Sequence, residues 1–264
     1  MKIVLIIVLI PLAALLLLCA GIAVYALILM IRRPPRALYE ARTKEADFVA
    51  LSDIPERMTG LFLELEDRIF HIHHGFVPRV IPAVIKLNFK AKKTIYGGST
   101  ITQQLAKNLY FRFNQSYIRK AAELLIAITL ERTLGKDRIL ELYLNVIYFG
   151  NGTYGISEAS RFYFNKPPSD LTINQMFMLA CLPAIPTRGN PIQYPEVFER
   201  VRNKRLSRMK PPLLSPDEAA LIFSYHADRL DPELREPDEF TRNYPRDIPQ
   251  INERYGPFAR KTKA

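Results

Sequence analysis

From Ile3 to Ile31 the chain carries no charged residue. A helix rises about 1.5 Å per residue, so this run would span about 43 Å, against a hydrocarbon core of roughly 30 Å. The apolar core of a cleaved signal peptide is shorter and ends at a small-residue cleavage site; here the run continues past Cys19 and Gly21. The "LLLLC" before Ala20 also lacks the small residue that precedes a lipoprotein cysteine. The expectation is an uncleaved, single-span transmembrane anchor over residues 1–33. Arg32, Arg33 and Arg36 follow the span and only Lys2 precedes it, so the local count of positive charge points the following chain into the cytoplasm. That rule weakens when a large domain follows.

The rest divides into a linker at 34–52, opened by Pro34 and Pro35, one globular domain at 53–227, and a tail at 228–264 rich in proline and charge. Cys19 lies in the apolar run and cannot pair with Cys181, so there is no disulfide framework, and no zinc-ligand spacing occurs. Net charge is +11, and its distribution matters more than its size. Between Asp67 and Glu123 there is no acid, while ten lysines and arginines, from Arg68 to Lys120, fall in that interval. Such a stretch needs an anionic partner or a solvated face. Beside an anchor, lipid phosphate suits it better than nucleic acid, for which no motif appears.

Apolar spacing predicts a mainly α domain. Met58, Leu61, Phe62, Leu65 and Ile69 recur on one face of a helix over 53–72, ended by Gly75 and Pro78. Residues 76–96 alternate apolar residues with lysines and read as a loop or a broken basic segment at the membrane surface. Thr100 with Gln103 forms a capping box that opens a helix to about Phe113. Further helices are expected at 116–134, closed by Gly135, at 136–149, near 157–164 and 172–182, and at 195–209.

Two clusters carry chemistry. In "ELEDRIFHIHHG" (64–75), Glu66 lies four residues from both Phe62 and Phe70, which would set a partly desolvated carboxylate in an aromatic stripe, suited to proton transfer. The bland alternative is a helix-end glutamate reaching water past the rings. His71, His73 and His74 point in three directions, unlike the paired histidines of a helical metal site. In "GGSTITQQLAKN", a glycine turn feeds a helix N-terminus suited to an anion, with Lys107 on the face of Gln103 and Gln104. In "RKAAELLIAITLE", Arg119 and Lys120 stand on the same side as Glu123, where two cations beside a carboxylate hold a diphosphate or simply form an intrahelical salt bridge.

Together these stretches resemble the peptidoglycan glycosyltransferases of family 51. "EDRIFHIHHG", "GGSTITQQLAKN", "RKAAELLIAITLE" and "KDRILELYLNVIYFGNGTYG" match four ordered motifs of that family, and "LACLPAIPTRGNP" approximates a fifth. With no second domain in the sequence, the chain is similar to the monofunctional biosynthetic transglycosylases. The resemblance implies a lysozyme-like, two-lobed glycosyltransferase domain behind a single N-terminal transmembrane helix. It implies lipid II as substrate, with the growing glycan as donor on undecaprenyl diphosphate. Glu66 would be the general base; Lys107, Arg119 and Lys120 would hold diphosphates; Glu123 would orient the reacting groups. Asp67, Phe70, His73, Thr100, Gln103, Gln104 and Asn108 match positions that shape the cleft. No cofactor is required by this chemistry, although a divalent cation, magnesium or manganese, assists some members at the diphosphate. The implied location is the bacterial cytoplasmic membrane with the domain on its outer, periplasmic side, against the local arginine count, and cell-wall synthesis or division proteins are natural partners. Val77, Pro82, Gln115 and Gln175 depart from the residues usual at their positions. A catalytically silent membrane scaffold and a lysozyme-like lytic enzyme are the competing readings.

Overall fold

The computed structural model describes residues 2–78, 98–111, 116–187, 189–209 and, beyond these, 214–215, 217–219 and 222. The expectations for residues 79–96, for Gln115 and Pro82, and for the tail lie outside the described residues.

Helix α1 (Lys2–Arg32) passes through Pro11 without ending, and its exposed side chains from Val8 to Leu18 are apolar. It is the one helix among the described residues long and apolar enough to cross a membrane. Pro34 and Pro35 stop it, and Pro35 takes the first position of α2 (Pro35–Arg42), where its missing N–H leaves no bond unmade.

The stretch 34–52, expected as a linker, is instead packed into the domain. Arg42 is buried, pairs with Asp47, and donates to the Asn145 carbonyl at 3.1 and 3.2 Å. Asn145 in turn accepts from the Val49 amide and donates to the Val49 carbonyl. The Leu51 amide donates to Glu141 at 2.7 Å. The proline pair signalled a break in the helix, but the partners that hold the following segment to the domain, Glu141 and Asn145, lie ninety residues or more away and leave no local pattern.

Helix α3 (Glu56–Glu66) is shorter than its apolar spacing suggested, because Asp67 leaves helical geometry at φ −160°, ψ 76°. Helix α4 (Ile101–Tyr110) opens with the expected capping box: the Thr100 hydroxyl accepts from the Gln103 amide, and the Gln103 side chain accepts from the Thr100 amide. Helix α5 (Tyr117–Leu134) is N-capped by Ser116 and stopped by Gly135 at φ 78°. Helix α6 (Lys136–Val146) stops three residues before the expected end, because the chain turns into a hairpin of β1 (Tyr148–Gly150) and β2 (Thr153–Tyr154). Helices α7 (Ile156–Phe164), α8 (Ile173–Cys181) and α9 (Pro195–Leu206) complete the order.

The mainly α expectation is met. Helix α4 packs on α5 and α6, and α3 packs on α8, around a core that includes Phe62, Leu105, Ile126, Tyr143 and Phe177. Two glycines make close approaches that no side chain permits. A Cβ on Gly155, at φ 80°, would lie 2.5 Å from the Asn145 carbonyl oxygen, and one on Gly150 would lie 2.5 Å from that of Pro186. The fourth motif is therefore scaffold: Glu141 and Asn145 hold the segment after the anchor, and the glycines let the hairpin seat against its neighbours. Gln175 fills the N3 place of a capping box with Thr172, a role glutamine and glutamate share.

Candidate active site

Glu66 is the last residue of α3, and its carboxylate meets three donors. Oε1 accepts from both terminal nitrogens of Arg205, on α9, at 2.9 Å each, and Oε2 accepts from Gln104 Nε2 at 3.0 Å. Gln104 is itself oriented by Tyr143, whose hydroxyl donates to Gln104 Oε1 at 3.2 Å. Burial and the neighbouring Glu66 charge push the Tyr143 phenol well above its ordinary range, so it stays a donor. A carboxylate offers about four lone-pair positions. Three are filled and one on Oε2 is left, and Glu66 lines a cavity of about 640 Å³ whose walls also include Asp67, Ser99, Thr100 and Arg205.

The expectation that two phenyl rings enclose Glu66 is corrected by this geometry. Since α3 ends at residue 66, Phe70 is not one helical turn away from it. Phe70 is buried, and the Lys136 ammonium lies 4.4 Å from its ring centroid. Polar donors meet the carboxylate, and of the two rings Phe62 alone stays on α3 with it.

Asp67 joins the first two motifs. Its Oδ2 accepts from His73 Nε2 at 2.8 Å and from the Ile101 amide, at the start of α4, at 2.9 Å. The Gly75 amide donates to His73 Nδ1 at 3.0 Å, so Nδ1 is the acceptor and Nε2 carries the hydrogen given to Asp67. The Thr100 hydroxyl donates to the Gly75 carbonyl at 2.6 Å. Gly75 lies at φ 97°, and a Cβ there would stand 3.0 Å from the backbone of Ala127. The turn that ends the first motif thus packs directly against the backbone of the third at Ala127. Phe70, His73 and Gln103 are thus buried behind the cavity and hold its walls, whereas Asp67 and Thr100 reach its lining. His71 and His74 point to solvent, and the described residues contain no group of three or more metal-ligating side chains.

The cationic cluster sits on α4 and α5. Glu123 is buried and ion-paired through Oε1 with Lys120, whose ammonium also donates to Ser99 Oγ at 2.9 Å. That second bond connects the cluster to the cavity, since Ser99 lines it. Glu123 Oε2 and Arg119 Nε are both buried without a hydrogen-bond partner. Burial first, and then the charges of Arg119 and Lys120, hold the Lys107 amine below its ordinary range, with Glu123 opposing. Three cations against one carboxylate leave excess positive charge, the electrostatics of an anion site. Lys107, Asn108, Arg119, Lys120 and Glu123 are not among the described residues lining the cavity; the cluster meets it through the bond from Lys120 to Ser99.

Arg205, Tyr143 and Ser99 complete the site without having been singled out in the sequence. Arg205 is one of five basic residues between Arg200 and Arg208, and nothing local distinguishes it.

Residues 35–210 match the family model for the transglycosylases, and the chain belongs to that family. It is 40% identical to penicillin-binding protein 1F of Bacillus subtilis over 63% of this chain and 23% of that one. Penicillin-binding protein 1A of Aquifex aeolicus is 43% identical over 61% of this chain and 22% of its own length. A Cupriavidus necator protein named for a transglycosylase is 38% identical over 62% of this chain and 70% of its own. The chain therefore spans about a quarter of the two penicillin-binding relatives.

Proposed function

We propose that the protein is a membrane-anchored peptidoglycan glycosyltransferase that polymerises lipid II into glycan strands. The observation that carries this reading is the unfilled acceptor position of Glu66 on a cavity that is also lined by Ser99, which is bonded to a buried cluster with excess positive charge. Membership of the transglycosylase family supports it.

Glu66 Oε2 takes the proton of the acceptor sugar's 4-hydroxyl as that oxygen attacks C1 of the donor. The bond from C1 to the diphosphate oxygen breaks with inversion, and the electron pair leaves on undecaprenyl diphosphate. Lys107, Arg119 and Lys120 meet the charge that develops there, so the leaving group needs no proton. Arg205 and Gln104 fix the carboxylate's direction. Glu123 holds Lys120 in place against the repulsion of its cationic neighbours.

A lytic glycosidase would need a second, protonated carboxyl at the leaving group. Glu123, ion-paired with Lys120, is poorly suited to that role. A divalent cation does not fit the described side chains at this point, because three cations crowd the single carboxylate. The substrate class further implies a domain on the outer face of the cytoplasmic membrane, with α1 as its anchor.

Incubation of the detergent-solubilised protein with labelled lipid II tests the reading. Polymer is expected from the parent and not from Glu66→Gln. Cleavage of preformed glycan without polymer would overturn it in favour of lysis, and silence in both assays in favour of a scaffold.

A further inference from the structure

Gln104 aims the carboxylate of Glu66, and Gln104 is only as fixed as the first turn of α4 that carries it. Two side chains from outside that helix grip the turn. Asp67 accepts from the Ile101 amide, and Glu131, in the last turn of α5, accepts through Oε1 from the Thr102 hydroxyl at 2.6 Å. A threonine within a helix ordinarily returns its hydroxyl to a carbonyl of the preceding turn, as Thr129 and Thr133 do on α5 at 3.1 and 2.7 Å. Thr102 is the second residue of α4, has no helical turn behind it, and is fully buried. Its hydroxyl therefore depends on the acceptor that α5 supplies.

Glu131 is itself held. The same Oε1 accepts from Lys136 Nζ at 2.7 Å, across the corner that Gly135 turns between α5 and α6, and the two side chains are only 7% and 20% exposed. That ammonium is the one seated over the Phe70 ring, and His73 Nδ1 stands 3.8 Å from Glu131 Oε1. Glu131 thus lies between the turn that ends the first motif and the helix that opens the second. Helix α5 is a firm base for it: α1, α2, α4 and α6 all pack on α5, and Ala26 of the docked anchor is buried. Apolar residues of similar volume often replace a buried ion pair at no loss of stability, so such a pair is weak evidence of a stabilising role. What this one supplies is direction, a short bond from a fixed helix to the residue two places before Gln104.

We infer that Glu131 is a positioning residue for the base: through Thr102 it fixes the first turn of α4, and with it the reach of Gln104 to Glu66. The inference deepens the glycosyltransferase reading and rests on it for its catalytic consequence. Lys136, seated on Phe70, keeps Glu131 in place.

Thr102→Val removes the hydroxyl and keeps the branched shape. In the full chain in detergent, with labelled lipid II, it is expected to lower kcat about tenfold and to leave KM within about twofold of the parent. Thr102→Ser keeps the hydroxyl and Glu131→Gln keeps an acceptor, and both should stay within about threefold of the parental kcat. In a Gln104→Ala background, Thr102→Val should cost less than about twofold, since the group that it positions is gone. A loss of equal size in both backgrounds, a loss in KM alone, or no loss would overturn the positioning role. Thr102→Ala removes the same hydroxyl with less bulk and takes the place of a valine variant that does not fold. A second readout needs no turnover. In protein carrying isotope-labelled glutamine, the side-chain amide resonance of Gln104, assigned by its loss in Gln104→Ala, reports the bond to Glu66. It should move in Thr102→Val toward its position in Glu66→Leu, and stay in Thr102→Ser. Movement without any polymer from the parent would leave the positioning intact and overturn the glycosyltransferase reading. An unmoved resonance would overturn the positioning whether or not polymer forms.

Discussion

Replacing Arg205 with methionine removes two charged hydrogen bonds from Glu66 Oε1, leaving the carboxylate to Gln104 alone. The two side chains are only 19% and 9% exposed, so the pair is far from a solvent-screened one. Exposed pairs contribute under about 1 kcal/mol, and breaking a buried pair costs about 3–5 kcal/mol. A pair that opens onto a cavity belongs near the lower end, at about 3 kcal/mol. If that energy holds the carboxylate in its attacking position, its loss corresponds to about a hundredfold in kcat. The KM for lipid II should change little, because Arg205 bonds to the enzyme's own base. Arg205→Lys keeps the charge without the fork and should fall between the two. The assay is the initial rate of lipid II polymerisation in detergent, with denaturation midpoints measured on the same samples. In a Glu66→Gln background, Arg205→Met should cost less than about 1 kcal/mol, the signature of coupling between the pair. A variant within about threefold of the parental kcat, or an equal stability loss in both backgrounds, would refute the positioning role. An increased rate would show that Arg205 obstructs the base.

Three further outcomes follow from the same geometry. Gly75→Ala should destabilise the fold by at least about 2 kcal/mol in denaturant melts, and Ala127→Gly should not rescue it, because the obstructing atoms are backbone. Arg42→Ala should cost about 3–5 kcal/mol by the same measurement, since it leaves the Asn145 carbonyl and Asp47 without their partner; a loss under about 1 kcal/mol would return 34–52 to the status of a linker. The amine of Lys107 is held below its ordinary range, so the unfolded chain binds more protons than the native one between its folded pKa and about 10.5. This group's contribution to stability therefore rises with pH across that window, and Lys107→Met should flatten the rise. A bound diphosphate should reverse the shift, with proton uptake visible by calorimetry in buffers of different ionisation enthalpy.

How much was legible in the sequence depended on the range of the interactions. The capping box at Thr100 and the Gly135 stop are written within four residues, and each appears as read. The end of α3 was not legible, because apolar spacing continues to Ile69 while the interaction that bends the chain at Asp67 comes from the amide of Ile101. Glu66 as the candidate base came from its own motif, but its aromatic enclosure did not survive, since helical spacing was extended past the helix. Arg205 lies 139 residues from Glu66 in a run of similar charges, so no local signal could single it out. The packing of Arg42 against Asn145 was hidden for the same reason.

The docking of α1 also bears on how the protein can be handled. Ala26 and its neighbours fill a seat on α5 that has no other cover among the described residues. A chain cut after Arg33 would bare that seat together with the rings of Tyr110 and Phe111. Such a fragment would self-associate or recruit detergent, so removing the hydrophobic leader would exchange one solubility problem for another.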